Sequence, residues 1–315
     1  MKLILRFGLS VFLVACESTA QPLPTHPAAA STQTFATSVA IPLPHLPTAT
    51  QQLQTTNYKS PQPSPQSPNF SSATLDPADW KDLPVIPSHI DKSLRNVYEY
   101  GLSLGNDPHA FSIFGDCQER PAEFFGIVET DSSFYSGLTH DLQQAVDNFR
   151  GSFNRESPTA QDGTTPGALL WTQWHQGNFG CSFSETPVGC ELRIRRPSFV
   201  IMQIGSHFES RNTEYLERII NQLLDAGVIP ILATKADNRE LDDRVNHDMV
   251  SLAFEYDLPL WNFWAALSDL SDRGLYVMEG RELQGAIYLN DEAKQIHRMT
   301  GLEVLNVVWR AVTEK

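Results

Sequence analysis

The sequence predicts one α/β domain of three layers, built on a mainly parallel sheet of about five strands. Two observations lead to this fold class. From Ser88 onward, short apolar runs alternate with segments whose apolar residues have helical spacing. The apolar runs are nearly continuous, which is typical of parallel strands that helices cover on both faces. We therefore place the folded domain at residues 76–315.

The first predicted strand ends in a glycine-containing turn. A helix is predicted over residues 88–104, with Ser88 as its N-terminal cap, and residues 110–114 form the apolar run that follows. Gly115 allows the chain to bend there, and Cys117 is delivered to the carboxyl edge of the sheet. Open α/β folds bind their ligands at that edge. We therefore expect the functional site at this turn.

The later elements continue the alternation. Helices are predicted over residues 121–125, 142–149, 168–174, 213–225 and 243–256, with a terminal helix through 304–309. Strands are predicted over residues 198–204, 228–234 and 258–263. Each strand is followed by a polar turn at the same predicted edge of the sheet.

The turn after the first strand resembles the opening block of a known family. Phe114-Gly115-Asp116-Cys117 is similar to the Gly-Asp-Ser block of the SGNH/GDSL hydrolases, with Cys117 in the place of the serine. In residues 152–165, Gly163 matches the glycine whose amide contributes to the oxyanion hole, and in Gly205-Ser206-His207-Phe208 the histidine stands at the place of the asparagine. The resemblance covers about residues 85–312 and implies a flavodoxin-like fold.

The residues that close the family pattern are replaced in this chain. The family ends with Asp-x-x-His before its last helix, and the matching positions hold Gly285 and Tyr288. Glycine has no side chain, and a tyrosine with an ordinary pKa of about 10 is a poor base at neutral pH. His297 falls inside the terminal helix, where we expect a solvated or half-buried side chain.

Two groups of candidate site residues follow. At the catalytic positions implied by the resemblance stand Asp116, Cys117, His207 and Tyr288. At the oxyanion hole or ligand-binding rim stand Gly163, Gly205, Asp237 and Asn238. An ordinary surface loop at Gly163, and a helix cap at Asp237 or Asn238, are the alternative interpretations.

The first 75 residues have the composition of an export signal and a stalk. Lys2 and Arg6 precede an apolar run that is too short to span a bilayer as a mature helix. Residues 13–16 resemble a bacterial lipobox, which implies cleavage before Cys16, its lipidation, and an anchor on the extracytoplasmic face of the membrane. An ordinary secretory signal is the alternative. Residues 17–75, rich in Pro, Ser, Thr and Gln, predict a disordered stalk.

The other cysteines are interpreted through this exported location. Cys181 and Cys190 flank a polar loop that a disulfide can bridge in an oxidising compartment. Cys117 is then the free thiol. It is either a functional group after Gly115-Asp116 or a small buried residue that fills space.

Charge and motifs limit the partners. The formal net charge is −14 and no basic stripe is present, so we expect no nucleic acid partner and a neutral or weakly charged ligand. No phosphate loop, dinucleotide fingerprint or metal-ligand spacing occurs, and we expect no cofactor, no metal and a monomer.

Three functional hypotheses remain open. The first is a degenerate ester hydrolase that binds an envelope glycan or similar ligand without turnover. The second is an active esterase of O-acyl groups that uses Cys117 as its nucleophile. The third is a structural envelope lipoprotein. A histidine within hydrogen-bond reach of the Cys117 sulfur, above all His207, would favour the second.

Overall fold

A parallel sheet of four strands lies at the centre of the described residues, in the order β1-β2-β3-β4. The structure is a computed structural model that describes residues 77–209 and 211–314. The predicted export signal, Cys16 and the stalk over residues 17–75 lie outside the described residues. The strands are β1, Asp107–Gly115; β2, Pro197–Gln203; β3, Ile229–Ala233; and β4, Leu260–Trp261.

Helices cover both faces of this sheet, which confirms the predicted fold class. They are α1, Leu94–Ser103; α2, Gly126–Thr130; α3, Ser132–Ser136; α4, His140–Asn148; α5, Pro166–Leu169; α6, Pro187–Arg195; α7, Asn212–Asp225; α8, Arg244–Glu255; α9, Phe263–Ala266; and α10, Asp291–Thr313. Helices α1, α4 and α10 contact one another on one face, while α6, α7 and α8 belong to the other. A small antiparallel hairpin, β5 (Leu275–Tyr276) and β6 (Tyr288–Leu289), lies before α10. None of the described helices is both long enough and apolar enough to cross a membrane.

The place of a fifth strand is taken by a single bridge. Gly115, at the end of β1, pairs with Ala160 in parallel, and the Gly115 N–H donates to the Thr159 carbonyl at 2.9 Å. The next ladder bond is replaced, because the Thr159 hydroxyl rather than its N–H donates to the Ile113 carbonyl at 2.8 Å, so the ladder does not extend toward the start of the segment. The bridge nevertheless holds the segment that contains Gly163 beside the end of β1.

Four predicted elements differ from the observed ones, one of them being the short helix predicted over residues 121–125, which form turns before α2 begins at Gly126. The first helix begins at Leu94 rather than Ser88, because the Asp91 side chain accepts from the Ser93 N–H at 2.7 Å and forms a turn there. The predicted helix over residues 168–174 is wrong beyond Leu169, and Trp171 is exposed instead of facing the core. The last strand stops at Trp261, because the Asn262 side chain caps α9.

An aromatic cluster holds β1 against the helices. The Phe111 ring lies edge-on to the rings of Phe125, Phe149 and Phe153, with centroid distances of 4.9–6.0 Å. All four side chains are fully buried. Burying an aromatic side chain contributes roughly 1.5–3 kcal/mol each, and edge-to-face pairs add to this. The end of β1, which carries Cys117, therefore starts from a rigid strand.

Helix α1 approaches the turn before β3 so closely that it needs a glycine. A Cβ added at Gly101 would collide with the backbone carbonyl of Gly227, which itself has a φ of +67°. We expect Gly101→Ala to lower the free energy of unfolding by about 1–3 kcal/mol, because a backbone group cannot move aside as a side chain would. Gly137→Ala is the matched control, since a Cβ there makes only ordinary contacts at 3.5 Å. Equal urea midpoints for the two variants would contradict this packing.

Candidate functional site

A cavity of about 490 Å³ opens at the carboxyl edge of the sheet. Cys117 follows β1 and His207 follows β2, so parallel strands bring both to the same edge. Gly163 reaches the cavity from the bridge segment, and Tyr288 reaches it from β6. Residues that lie 171 positions apart in sequence, from Cys117 to Tyr288, therefore line one cavity.

The other candidate residues lie around this cavity rather than in it. Asp116 is buried beneath Cys117. Gly205 has a φ of +152°, and a Cβ there would collide with Val245, so the backbone itself requires glycine. Asp237 lines a small void next to the cavity, and Asn238 lines a separate open groove. Neither of these two residues caps α8, whose N-terminal residue is preceded by Asp243.

The Cys117 thiol is free and partly exposed, as predicted, while Cys181 and Cys190 form a disulfide with Cα atoms 5.3 Å apart. Burial raises the pKa of the Cys117 thiol far above its ordinary value, and the charges of Asp116 and Glu119 raise it further. Both carboxylates lie within three residues of the sulfur in sequence. At neutral pH the sulfur is therefore a thiol and not a thiolate.

Two buried carboxyl groups lie directly below the thiol. Glu119 folds back so that its Oε2 accepts from the Asp116 N–H at 2.9 Å, and Asp116 Oδ1 accepts from the Gln118 N–H at 3.3 Å. A Cβ at Gly115 would collide with the Glu119 side chain, so this glycine is needed for close approach. Burial raises the pKa of both carboxyl groups; the charge of His207 opposes this at Asp116, whereas the charge of Asp116 raises the pKa of Glu119 further.

His297 is a buried structural residue, and the expectation of a solvated or half-buried side chain is wrong. Its ring stacks on Phe124 and lies against Phe263, with centroids 4.1 and 4.4 Å away. Its Nε2 lies 2.6 Å from Gln203 Oε1, and the Gln203 amide nitrogen donates to the Thr234 carbonyl. Because that amide oxygen can only accept, His297 Nε2 must carry the proton. Burial lowers the pKa of His297 well below its ordinary value, so the ring is neutral.

No described histidine hydrogen-bonds to the Cys117 sulfur. His207 lines the same cavity, but its ring makes no hydrogen bond with the thiol in the described part of the chain. Tyr288, which lines the cavity from β6, is also a poor base, because burial raises its pKa above the ordinary value. Among the described residues, the side chain that interacts with the Cys117 thiol is therefore the buried Asp116 carboxyl group and not an imidazole.

A buried ion cluster fixes the loop that carries His207. Lys235 Nζ lies 2.9 Å from Asp237 Oδ1 and 2.5 Å from Glu240 Oε2. Ser206 Oγ donates to Asp237 Oδ2 at 3.1 Å, and Arg239 Nη1 donates to the Ser206 carbonyl at 2.8 Å. Apart from Asp237, these residues were not found from the sequence. Their signal was a Lys-x-Asp-x-x-Glu spacing directly after a buried strand.

Most charged side chains around the cavity are paired. Arg120 lies 3.3 Å from both Glu156 and Asp162, and Lys294 lies 2.6 Å from Glu123. Arg281 also lines the cavity, and it forms no ion pair within the described residues. In that same part of the chain, no group of three or more His, Cys, Asp or Glu side chains is arranged to hold a metal ion.

Comparisons with known proteins do not assign this chain to a family. No family model matches the chain, and no curated protein matches it significantly. Among solved structures, one similar chain is from Desulfitobacterium hafniense DCB-2 and is described as a lipolytic protein of the G-D-S-L family. It is 15% identical, the match covers 62% of this chain and 99% of that chain, and the TM-score is 0.38. A likeness at this level carries no argument about activity.

The buried carboxyl group of Glu119 makes stability depend on pH. Its pKa is raised in the folded state above the ordinary value of 4.5, so the folded state keeps a proton that the unfolded state loses as the pH rises. The free energy of unfolding should therefore fall with rising pH above 4.5, by at most about 1.4 kcal/mol per pH unit for this group. Glu119→Gln keeps an oxygen acceptor for the Asp116 N–H and removes the titration.

We expect the stability of Glu119→Gln relative to the unaltered protein to improve steadily as the pH rises, in urea unfolding followed at several pH values. Glu99→Gln, on the exposed face of α1, controls for the loss of one carboxyl group. Parallel pH profiles for the protein and Glu119→Gln would contradict a raised pKa at this position.

Proposed function

We propose that this domain is a degenerate ester hydrolase that binds a sugar-containing ligand in the Cys117 cavity without turning it over. One observation carries this proposal. Cys117 stands at the nucleophile position as a protonated thiol, with no imidazole bonded to its sulfur among the described residues. The parallel α/β fold and the cavity beside Cys117 support descent from a hydrolase, and the lack of an imidazole bonded to the thiol among the described residues supports loss of turnover.

Ester hydrolysis by a thiol needs a thiolate and a group that passes protons. A cysteine is activated by an adjacent base or by a lowered pKa, and the environment of Cys117 does the opposite. The only N–H of the neutral His297 ring donates to the Gln203 side chain and not to the thiol. Losing members of a catalytic triad typically costs about 10⁴ to 10⁶ in rate, which leaves only a small residual activity.

The lining of the cavity supports a glycan-type ligand. Tyr276 and Tyr288 are paired across the β5–β6 hairpin with their rings 6.0 Å apart, and both line the cavity. Tyrosine offers an apolar ring face together with a hydroxyl group, which suits a sugar with its C–H faces and hydroxyl groups. The side chains of Gln118 and Gln284 add neutral polar groups to the same lining.

We also propose that the domain is displayed on the extracytoplasmic face of a membrane. The lipobox-like residues 13–16, with lipidation at Cys16, and the polar stretch over residues 17–75 support this location. The Cys181–Cys190 disulfide also supports export, because structural disulfides persist in oxidising compartments. An envelope glycan or a related polymer would then be within reach of the cavity.

The alternative function is hydrolysis of carboxylic esters by Cys117, and one comparison separates the two. We expect the purified protein, Cys117→Ala and Cys117→Ser to hydrolyse aryl esters and acetylated sugars at the same background rate at pH 7 to about pH 9. Cys117→Ser restores the residue of the family pattern, yet it also lacks a base. Turnover by the protein that vanishes in Cys117→Ala would establish a thiol esterase instead.

A further inference from the structure

A second, open groove of about 460 Å³ lies beside the Cys117 cavity. It is lined by Trp264, Arg273 and Asn238 among others, and Tyr276 lines both this groove and the cavity. Tyr276 therefore forms part of the wall of both spaces. A ligand longer than a single sugar could occupy both.

Arg273 is held in the groove by its contacts with Trp264. Its guanidinium lies over the Trp264 ring at 3.7 Å from the centroid, and its Nη1 donates to the Trp264 carbonyl at 2.8 Å. Asp272 and Arg273 both have left-handed backbone conformations, with φ of 48° and 54°. Such conformations cost on the order of 1–3 kcal/mol each for residues with side chains, so surrounding contacts must maintain them.

Arg273 forms no ion pair among the described residues, and the acidic charge that acts on it from a longer distance is that of Asp243. Two carboxylates are nearby in the fold: Asp272 lines the same groove without an ion pair to Arg273, and Asp243 is paired with Lys81 at 2.5 Å. A stacked guanidinium with free N–H groups is a strong donor for carboxylate or phosphate oxygens. Arg281, on the other side of Tyr276, likewise forms no ion pair within the described chain.

We propose that the groove beside Trp264 binds an anionic group of an acidic glycan whose neighbouring sugar occupies the Cys117 cavity. This inference rests on the proposed function and adds the ligand's charge and length to it. Arg273 binds the carboxylate or phosphate oxygens, Tyr276 contacts the ligand where it passes between the two spaces, and Tyr288 contacts the sugar in the cavity. The net charge of −14 does not oppose this arrangement at close range, because exposed charges are screened beyond about 8 Å at physiological ionic strength.

The test compares an acidic and a neutral probe of one sugar skeleton, together with a phosphate polymer. Binding to the purified protein is measured by calorimetry for an oligogalacturonate, for its fully methyl-esterified form, and for a glycerol phosphate oligomer. The first two have the same sugar skeleton, and the third separates phosphate from carboxylate as the recognised anion. We expect at least one anionic probe to bind about tenfold or more tightly than the neutral ester, since a charge-assisted hydrogen bond contributes about 1.5–3 kcal/mol.

Variants assign this gain to Arg273. We expect Arg273→Gln to reduce the affinity for the anionic probe to that for the neutral ester, while Arg273→Lys retains part of the gain as a point charge. Arg150→Gln, on an exposed arginine paired with Asp147, controls for the change in net charge. Tyr288→Ala should weaken binding of the acidic and neutral sugars alike, because it acts in the Cys117 cavity.

Each other outcome is decisive. Equal affinity for acidic and neutral probes, or an equal loss for both in Arg273→Gln, overturns the anionic subsite. If the neutral ester still binds and Tyr288→Ala still weakens it, the proposed function survives that failure. Absence of binding by all three probes overturns both the subsite and glycan binding in the cavity.

Discussion

The contact of the Glu119 side chain with Gly115 is the constraint on which the site depends. Glycine at that position lets the glutamate fold back under the turn, where its carboxyl group accepts from the Asp116 N–H. Two carboxyl groups are thereby buried beneath Cys117. Burial of the sulfur raises the pKa of the thiol, and the two carboxyl groups raise it further when they ionise, so the turn that presents Cys117 also disfavours its thiolate.

The rest of the site is held by buried polar contacts that fix its geometry without supplying a base. The imidazole of His297 is locked to Gln203 at the end of β2, and the Lys235 cluster fixes the loop that carries His207. Buried polar groups of this kind contribute specificity of structure when they are satisfied. The result is a preformed cavity with an aromatic pair at its rim.

The local parts of this arrangement were predictable from sequence, and the long-range parts were not. Apolar runs and the turn at Gly115 predicted β1 and the position of Cys117, and the loop between Cys181 and Cys190 predicted the disulfide, which the structure confirms. The burial of His297 depends on rings from three other segments, which helical spacing alone does not reveal. The fifth strand is reduced to a bridge where the Thr159 hydroxyl replaces a backbone donor to β1, a pairing detail that an apolar pattern does not reveal. The expectation of a neutral or weakly charged ligand came from the net charge of the whole chain. That sum does not reveal a single positive side chain such as Arg273 in a groove.

The protonation state of Cys117 tests the central claim most directly. Thiolate absorbance in the ultraviolet can be measured as the difference between the folded protein and Cys117→Ser across a pH titration. The account predicts no thiolate signal at about pH 8.5, where an ordinary cysteine is half ionised, and a signal only at much higher pH or after unfolding. A thiolate that forms at or below neutral pH in the folded protein would contradict the account.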